Sequence, residues 1–389
     1  MRFHVVGVGP LGTLVAHHLR RATPPAHPII FLHSKEKSLR NAPTGFVLET
    51  RGSVTTSSGF EHDTFETEQN TTIESLFVTT RAYSTLHAIR RLVPRLSQNS
   101  TIVLAQNGLA MYDEIVRTLF RNPKERPHFI FASSTHSMFL SSAATTHKTR
   151  PTMLQPTVGT VDFAIAPDPH GRNFEAGFGD EAVHASERRG RLSDVARLDG
   201  DPSLQRYRSL RNTVAALLLA EPLNARWRPL AQVQIALRRK LVVNSVIHPL
   251  AALMGCRTAD IFSTQYAVRI AKRICQEAAD VFQTQLREDT KAWMASSETE
   301  VGGLMGIARL PPSLEAESML RECLKVSQES KQSISSMLGS VRHGRMTEID
   351  VLNGYLLKLG KTYSMQMPAT ATMYNLVRMR SAIPLDQIL

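Results

Sequence analysis

Residues 5 to 19, VVGVGPLGTLVAHHL, decide the fold of this chain. Three glycines at positions 7, 9 and 12 follow an apolar run and open a stretch typical of a helix. This spacing permits a tight turn, a close backbone approach to a pyrophosphate, and close packing of helix on strand. The stretch predicts a dinucleotide-binding turn, with an ordinary glycine-rich turn as the alternative. The predicted cofactor-binding residues of the turn are Gly7, Val8, Gly9, Pro10, Leu11 and Gly12.

Further apolar runs, separated by helical patterns such as STLHAIRRLVPRL, follow this turn. Strands that alternate with helices are typical of a doubly wound α/β sheet. The sequence therefore predicts an N-terminal Rossmann sheet. Its predicted strands after the first lie near 28–34, 75–82, 100–108 and 128–135, with later ones in GTVDFAIAP and LNARWRPL.

The character of the sequence changes near residue 230, after which the pattern is helical to the end. We predict an NADP-binding Rossmann domain over 1–229 and a helical domain over 230–389. A polar segment at about 167–206 is predicted to be a surface insertion or a mobile loop, because it has little hydrophobic periodicity. The Gly- and Pro-containing stretch 296–313 is predicted to be a loop.

The end of the second predicted strand, FLHSKEKSLR, bears on the choice of cofactor. An acidic residue at this point marks a preference for NAD, whereas Ser34 and Lys35 stand here. A hydroxyl and an ammonium group suit a 2′-phosphate, so we predict NADPH. The alternative is a solvated basic loop, and Glu36 is the residue that argues for it.

Composition limits the other classes of function. The 389 residues carry a formal net charge of +12, but no segment concentrates the charge and only 6% of residues are aromatic, so nucleic-acid binding is not favoured. Cys256, Cys275 and Cys323 lack the spacing of a metal site or a disulfide framework. No run of about 18 apolar residues is present. We expect a cytoplasmic protein without membrane spans or metal.

Five stretches, in order along the chain, resemble ketopantoate reductase (2-dehydropantoate 2-reductase), of the type found in fungi. They are GVGPLG, VTTRAYST, LAQNGL, RRKLVVNSVIHPLAAL and SSMLGSVRHGRMTEIDVLNG. The resemblance implies NADPH-dependent reduction of 2-dehydropantoate to (R)-pantoate, on the route to coenzyme A. It also implies a Rossmann domain followed by a substrate and dimerisation domain similar to that of 6-phosphogluconate dehydrogenase, with the active site in the cleft between them and a possible homodimer.

The resemblance implies that Lys240 and Glu348 are catalytic. Lys240 would donate a proton to the keto oxygen, where hydride addition creates an alkoxide; Glu348 would bind the substrate and interact with the lysine. The alternative for Lys240 is an exposed helix lysine. The alternative for Glu348 is a carboxylate in the first turn of a helix that Thr347 caps.

Other residues match binding positions of the family. Arg81, where many relatives have lysine, and Asn107 would lie beside the cofactor, and Asn107 is also assigned to the substrate. Asn244, His248 and Ser336 would bind the substrate, and on a helix Lys240, Asn244 and His248 share one face. The alternatives are a turn residue for Asn107, a helix-end residue before Pro249 for His248, and a helix hydroxyl for Ser336. We interpret His136, in SSTHSM, as structural or cofactor-adjacent.

Three departures from the family concern the substrate pocket. His248 and Ser333 stand in place of asparagine, and Ser340 in place of aspartate. They permit the usual substrate with different contacts, a different 2-oxo acid, or loss of the reaction. The last outcome would make the chain a non-catalytic relative, such as an RNA-binding mitochondrial translation factor.

Overall fold

A computed structural model describes residues 1–40, 42–66, 71–105, 110–141, 150–296, 309–330 and 334–383. The chain divides into two compact units between Gln234 and Ile235. The first unit is built on two sheets and the second is helical. This division lies five residues after the boundary of 229/230 that the sequence predicts, within a long helix that begins at Leu230.

The main sheet of the N-terminal unit has eight strands, most of them parallel. Its strands in spatial order are β12 (Ala225–Trp227), β11 (Val161–Ile165), β8 (His128–Ser134), β7 (Thr101–Leu104), β6 (Ser75–Val78), β1 (Phe3–Val6), β2 (Ile29–His33) and β5 (Glu61–Thr64). β11 pairs antiparallel with β8, and β12 is parallel to β11, so these two strands run opposite to the other six. Its helices are α1 (Pro10–Ala22), α2 (Glu36–Arg40), α3 (Ala82–Leu92), α4 (Ala110–Leu119), α5 (Leu192–Val195) and α6 (Leu204–Leu219).

The central strands are buried along their whole length, as expected of a sheet covered on both faces. Strand order reverses between β1 and β6, and ligands of open α/β sheets bind at such a point. The glycine turn follows β1 there. The structure confirms the predicted doubly wound sheet, including the late strands β11 and β12.

A second sheet of four strands was not predicted. Its order is β4 (Ser53–Ser58), β3 (Gly45–Thr50), β10 (Thr152–Thr157) and β9 (Ser137–Leu140). It lies against α1, where the His17 ring is within hydrogen-bond distance of the Ser57 and Thr55 hydroxyls, at 2.8 and 3.0 Å. Phe46 and Leu48 of β3 are buried in the same core as β1 and β2.

Four histidines of this unit, His4, His17, His18 and His128, are buried and held neutral. Burial lowers the pKa of His18 to about 3 and the pKa of each of the others to about 4. Unfolding returns each pKa to about 6.5, so between these values the unfolded chain binds more protons. Their contribution to stability is complete above about pH 6.5, and we expect the free energy of unfolding to fall by on the order of several kcal/mol towards pH 4.

Urea unfolding, followed by circular dichroism over this pH range at constant ionic strength, measures the loss. His18→Phe removes one titrating group, and the pH dependence should become shallower. A free energy of unfolding that is equal at about pH 7 and pH 4 would contradict the expectation.

The polar segment 167–206 is packed on the sheet unit, so the mobile-loop alternative is wrong. Phe174 and Val195 are buried in the main core. Arg172 donates two hydrogen bonds to the Asp201 carboxylate, at 2.7 and 3.1 Å, and stacks on the Tyr207 ring of α6. Ion pairs and a few buried apolar residues hold the segment in place. Such interactions produce little hydrophobic periodicity, so the packing could not be predicted from the sequence pattern.

Arg172→Ala should lower the free energy of unfolding by about 2–3 kcal/mol, because it leaves the Asp201 carboxylate, 7% exposed, without its cation. Arg226→Ala is the matched control, since the Arg226–Asp162 pair is more exposed and should contribute less than about 1 kcal/mol. Urea titration of both variants makes the comparison. Equal losses would show that the buried pair has no special role.

The C-terminal unit is helical, as predicted. Its helices are α7 (Leu230–Met254, which begins in the first unit), α8 (Gln265–Ser296), α9 (Ala316–Glu329), α10 (Ser336–Arg342), α11 (Asn353–Thr362) and α12 (Pro368–Ala382). Val242, Ile274 and Leu356 belong to its apolar core. In the part of the chain that the structure describes, no helix has the length and apolar character needed to span a membrane.

Candidate active site

The glycine turn between β1 and α1 has the geometry that its spacing predicts. Gly7 has φ +105°, and a Cβ on it would lie 2.7 Å from the Thr79 carbonyl carbon. A Cβ on Gly12 would lie 2.0 Å from the Gly7 carbonyl oxygen. A Cβ on Gly9, by contrast, would meet nothing within 4 Å. The turn is therefore closed on its protein side and open at Gly9, where a ligand can approach the backbone.

The N-terminus of α1 suits an anion. Pro10 occupies the first turn, which contains no acidic residue, and Gly9 at the N-cap has no side chain that could satisfy the first amide groups. These amides and the helix dipole attract a phosphate. Thr79, at the end of β6, fixes the turn because its hydroxyl lies 2.8 Å from the Gly7 carbonyl oxygen.

A pocket of about 460 Å³ lies beside the turn. It is lined by Val8, His33, Lys35, Lys37, Ser38 and Pro43. Lys35, predicted to bind the cofactor, thus lines this pocket. Ser34 is exposed, and its carbonyl accepts a hydrogen bond of 3.3 Å from Arg91. Glu36, the residue that argued against a phosphate, is exposed and pairs with Arg40.

Of two further residues predicted to bind the cofactor, Arg81 belongs to the described part of the chain and Asn107 does not. Arg81 is the N-cap residue of α3, three residues after the end of β6, and it is half-buried. It therefore follows the strand next to β1 at the carboxyl edge of the sheet. Asn107 lies outside the described residues.

The residues predicted to act on the substrate from one helix face, Lys240, Asn244 and His248, all lie in α7. Lys240, Asn244 and His248 recur every four residues along α7 and are all half-buried. The helix continues through Pro249 to Met254, so the alternative of a helix-end His248 is wrong. A proline can lie inside a helix when the carbonyl that it leaves free finds another donor.

Electrostatic interactions join three of the predicted residues. Burial lowers the pKa of Lys240 to about 8, and the negative charge of Glu348 opposes this shift. Burial, and then the Lys240 charge, lower the pKa of His248 to about 4. Near neutral pH the site thus contains a weakly acidic lysine cation, a carboxylate and a neutral imidazole.

Glu348 lies in a turn and not in the first turn of a helix. Its carbonyl accepts from the backbone N–H of Leu352 at 3.1 Å, and α11 begins only at Asn353. The alternative of a capped helical carboxylate is therefore wrong. Thr347 is buried and Glu348 is half-buried.

The serines of the substrate prediction occupy different environments. Ser336 is the first residue of α10 and is exposed, whereas the buried Ser335 caps the helix by accepting from Leu338 N–H at 3.3 Å. Ser336 thus belongs to a helix, as its alternative interpretation states, and it lies at the start of that helix. Ser340 is buried. Ser333 lies outside the described residues.

His136 has a structural environment. Its Nδ1 accepts from the Gly159 N–H at 3.1 Å and lies 2.9 Å from the Gln155 amide nitrogen. The opposite nitrogen, Nε2, then carries the proton and donates to the Leu223 carbonyl at 2.9 Å. These bonds connect β10 and the following turn to the segment before β12.

Two family models match most of the chain. One, described as ketopantoate reductase PanE/ApbA, matches residues 3–159, and its C-terminal counterpart matches residues 232–381. The chain belongs to the ketopantoate reductase family.

Relatives of this ketopantoate reductase family member carry more than one substrate in their names. The 2-dehydropantoate 2-reductase of Yersinia pestis is 24% identical over 309 residues, 79% of this chain and 75% of that protein. The ketoisovalerate reductase of Beauveria bassiana is 22% identical over 400 residues, 92% of this chain and 78% of that protein. These relatives do not establish a fungal type.

Solved structures share the fold of the family. A D-mandelate dehydrogenase with NADH and anilino(oxo)acetate has a TM-score of 0.66 at 14% identity and covers 98% of both chains. A dimeric ketopantoate reductase from Staphylococcus aureus has a TM-score of 0.59 at 14% identity, with 98% of this chain and 99% of that chain covered. At these identities the likeness concerns the fold alone.

Sequence reasoning did not single out Thr79, Ser38 or Pro43 for this reductase-family site. The only available signal for Ser38 was its position one residue after Lys37, in the basic stretch after β2. Among the described residues, no group of three or more His, Cys, Asp or Glu side chains could hold a metal ion.

Proposed function

We propose that the chain reduces 2-dehydropantoate to (R)-pantoate with NADPH, on the route to coenzyme A. The observation that carries the proposal is the pair of Lys240 and Glu348 in the helical unit. The lysine is half-buried with its pKa lowered to about 8, and the carboxylate raises that pKa. Perturbed ionisable groups of this kind are characteristic of acid–base sites.

The N-terminal unit fits the cofactor. The open backbone at Gly9 and the acid-free N-terminus of α1 suit a pyrophosphate, and Lys35 and Lys37 suit a 2′-phosphate. Ser34, Arg81 and Asn107 stay predictions for the same cofactor. When bound, NADPH supplies the hydride.

Lys240 is proposed to be the general acid. A cation directed at the keto oxygen stabilises the negative charge that develops there, and its proton completes the alcohol. A pKa of about 8 leaves the amine largely protonated near neutral pH yet able to release its proton. Glu348 keeps the amine charged, and we propose that it also accepts from a substrate hydroxyl.

Asn244, His248 and Ser336 are proposed to bind the substrate, together with Asn107. His248 is neutral near pH 7, because burial and Lys240 lower its pKa to about 4, so it contributes a hydrogen bond and not a charge. Binding of the substrate carboxylate then depends on other groups. His248 stands where the family has asparagine, and an imidazole offers different hydrogen bonds to the rest of the substrate, which supports a second candidate function, reduction of a different 2-oxo acid.

A substrate panel separates the two candidates. The kcat/KM of NADPH oxidation is measured with 2-dehydropantoate, 2-oxoisovalerate and phenylglyoxylate, and each assay is repeated with NADH. We expect 2-dehydropantoate to be preferred by at least about tenfold. A higher kcat/KM with another 2-oxo acid would instead support the second candidate, with that acid as the substrate. Absence of all turnover, together with salt-sensitive RNA binding, would instead support the non-catalytic alternative.

We also propose that the chain is a ketopantoate reductase of the fungal type and that it forms a homodimer. It is proposed to act in the cytoplasm, with mitochondria as the alternative. A dimer is supported by the dimeric family member. A reducing compartment is supported by the free Cys256, Cys275 and Cys323. Light scattering of the purified chain measures the oligomeric state, and a monomeric mass would contradict the dimer.

A further inference from the structure

Pro249 interrupts the hydrogen bonding of α7 inside the helix, five residues before its last residue, Met254. A proline has no N–H, so the carbonyl four residues earlier loses its helical donor. Here that carbonyl belongs to Ser245, which is 0% exposed. A buried carbonyl without a donor is costly, and water cannot replace the bond at such a position.

Asn353 supplies the missing donor from another part of the chain. Its Nδ2 donates to the Ser245 carbonyl at 3.0 Å, across 108 residues of sequence, and the side chain is 0% exposed. Only the amide nitrogen can donate to a carbonyl, so this bond also fixes the orientation of the amide. The bond therefore takes the place of the helical one that Pro249 cannot make.

The same residue ends the turn that carries Glu348. The Glu348 carbonyl accepts from the N–H groups of Val351 and Leu352, at 3.2 and 3.1 Å, and Asn353 follows as the first residue of α11. On the other side of the bond, Ser245 lies beside Asn244 in α7. The Asn353 amide thus connects the turn that contains Glu348 to α7, the helix that contains Lys240.

Unpaired polar atoms accumulate around this connection. Ser245 Oγ, Asn353 Oδ1 and His248 Nδ1 are buried without a hydrogen-bond partner among the described protein atoms. Such groups reduce stability, and they concentrate where a structure serves a site at the expense of packing. A role in stability alone would be met as well by a helix without Pro249.

We propose that Asn353 is a positioning residue, which connects the Glu348 turn to α7 at Pro249. It thereby fixes one face of α7, which carries Lys240, Asn244 and His248, relative to Glu348. The inference rests on the proposed function, in which these residues act on a 2-oxo acid. A misplacement of about 1 Å at a reacting group can lower a rate by about a hundredfold. Asn353 therefore affects turnover without touching the substrate.

A double-mutant cycle tests the connection. Asn353→Ala removes the donor, and Pro249→Ala restores an N–H that can bond the Ser245 carbonyl within the helix. We expect Asn353→Ala to lower kcat by about tenfold in the wild-type background and by less than about twofold in the Pro249→Ala background. The Kd of NADPH should not change in any of these variants.

Ser327→Ala is the matched control. The Ser327 hydroxyl donates to the Thr258 carbonyl at 2.6 Å, so it is also a buried bond from a side chain to a backbone carbonyl in the helical unit. It should lower thermal stability to a similar degree and leave kcat within about twofold of the wild-type value. An Asn353→Ala deficit equal to that of Ser327→Ala, or equal in both proline backgrounds, would overturn the proposal.

A second readout does not require turnover. The titration of Lys240 is followed by NMR on protein labelled with ¹³C-lysine, with Lys240→Ala to assign the resonance. The pKa should rise from about 8 towards the ordinary lysine value of 10.5 in Asn353→Ala, because a displaced face of α7 regains water, and should return towards 8 when Pro249→Ala is added. If wild-type protein reduces no 2-oxo acid, the proposed function fails, whereas an unchanged Lys240 titration in Asn353→Ala overturns the positioning role itself.

Discussion

Lys240→Ala lowers kcat for 2-oxo acid reduction by at least about a hundredfold, because the developing alkoxide loses both its proton donor and its stabilising cation. The expected loss lies mainly in kcat, since the substitution removes an interaction that strengthens as charge develops. Steady-state kinetics with saturating NADPH measure it. The pH dependence is a second signature: the wild-type kcat should decline as pH rises through about 8, where Lys240 loses its proton.

Arg239→Ala is the control for the loss of a neighbouring cation. Arg239 precedes Lys240 in α7 and pairs with Glu322 of α9, so its charge is already engaged. Its kcat should stay within about threefold of wild type. Equal losses in the two variants, or an almost unchanged rate in Lys240→Ala, would remove Lys240 from the mechanism.

The double substitution of Lys35 and Lys37 by alanine should weaken NADPH binding by about tenfold to a hundredfold and leave NADH binding unchanged. Both lysines line the pocket beside Val8 and are exposed, so water screens their charge-assisted bonds to a 2′-phosphate, which together contribute on the order of 1.5–3 kcal/mol. Fluorescence titration gives the Kd of each cofactor without any need for turnover.

Arg40→Ala provides the comparison for a change of charge on the same helix. Arg40 is exposed, pairs with Glu36 and does not line the pocket, so its loss should change the NADPH affinity by less than about threefold. Parallel losses of NADPH and NADH affinity in the lysine variant would contradict a 2′-phosphate role and favour the solvated basic loop.

The glycine turn was predictable because its information is local. The positive φ of Gly7, the close approach at Gly12 and the open space at Gly9 follow from a spacing of six residues. Buried strands such as β1 and β6 were equally visible, since continuous apolar runs are typical of a covered parallel sheet.

The second sheet was missed because β4 consists of Ser and Thr apart from Val54, so it shows no alternation of apolar and polar residues that would indicate a partner for β3. Its one local signal is the turn between β3 and β4, where Arg51 and Gly52 both have positive φ, at 50° and 83°. Two-residue hairpin loops of type I′ require positive φ at both positions, and Gly52 was the residue in the sequence that indicated such a turn.

Errors at the candidate site had a tertiary cause. Pro249 predicted a helix end at His248, but Asn353, which lies 108 residues from Ser245 in sequence, supplies the donor that lets α7 continue. Glu348 resembled a first-turn carboxylate, yet the helix begins five residues later. Residue types could be carried over from a family motif, but the bonds that place them could not.

Transfer of label from NADPH to substrate tests the central claim most directly. Protein is incubated with 2-dehydropantoate and NADPH that carries deuterium at nicotinamide C4, in the transferred position, and the product is analysed by mass spectrometry. The account predicts pantoate with one deuterium at C2, formed by the wild type and strongly reduced in Lys240→Ala. Unlabelled substrate recovered in full, from protein that still binds NADPH, would contradict it.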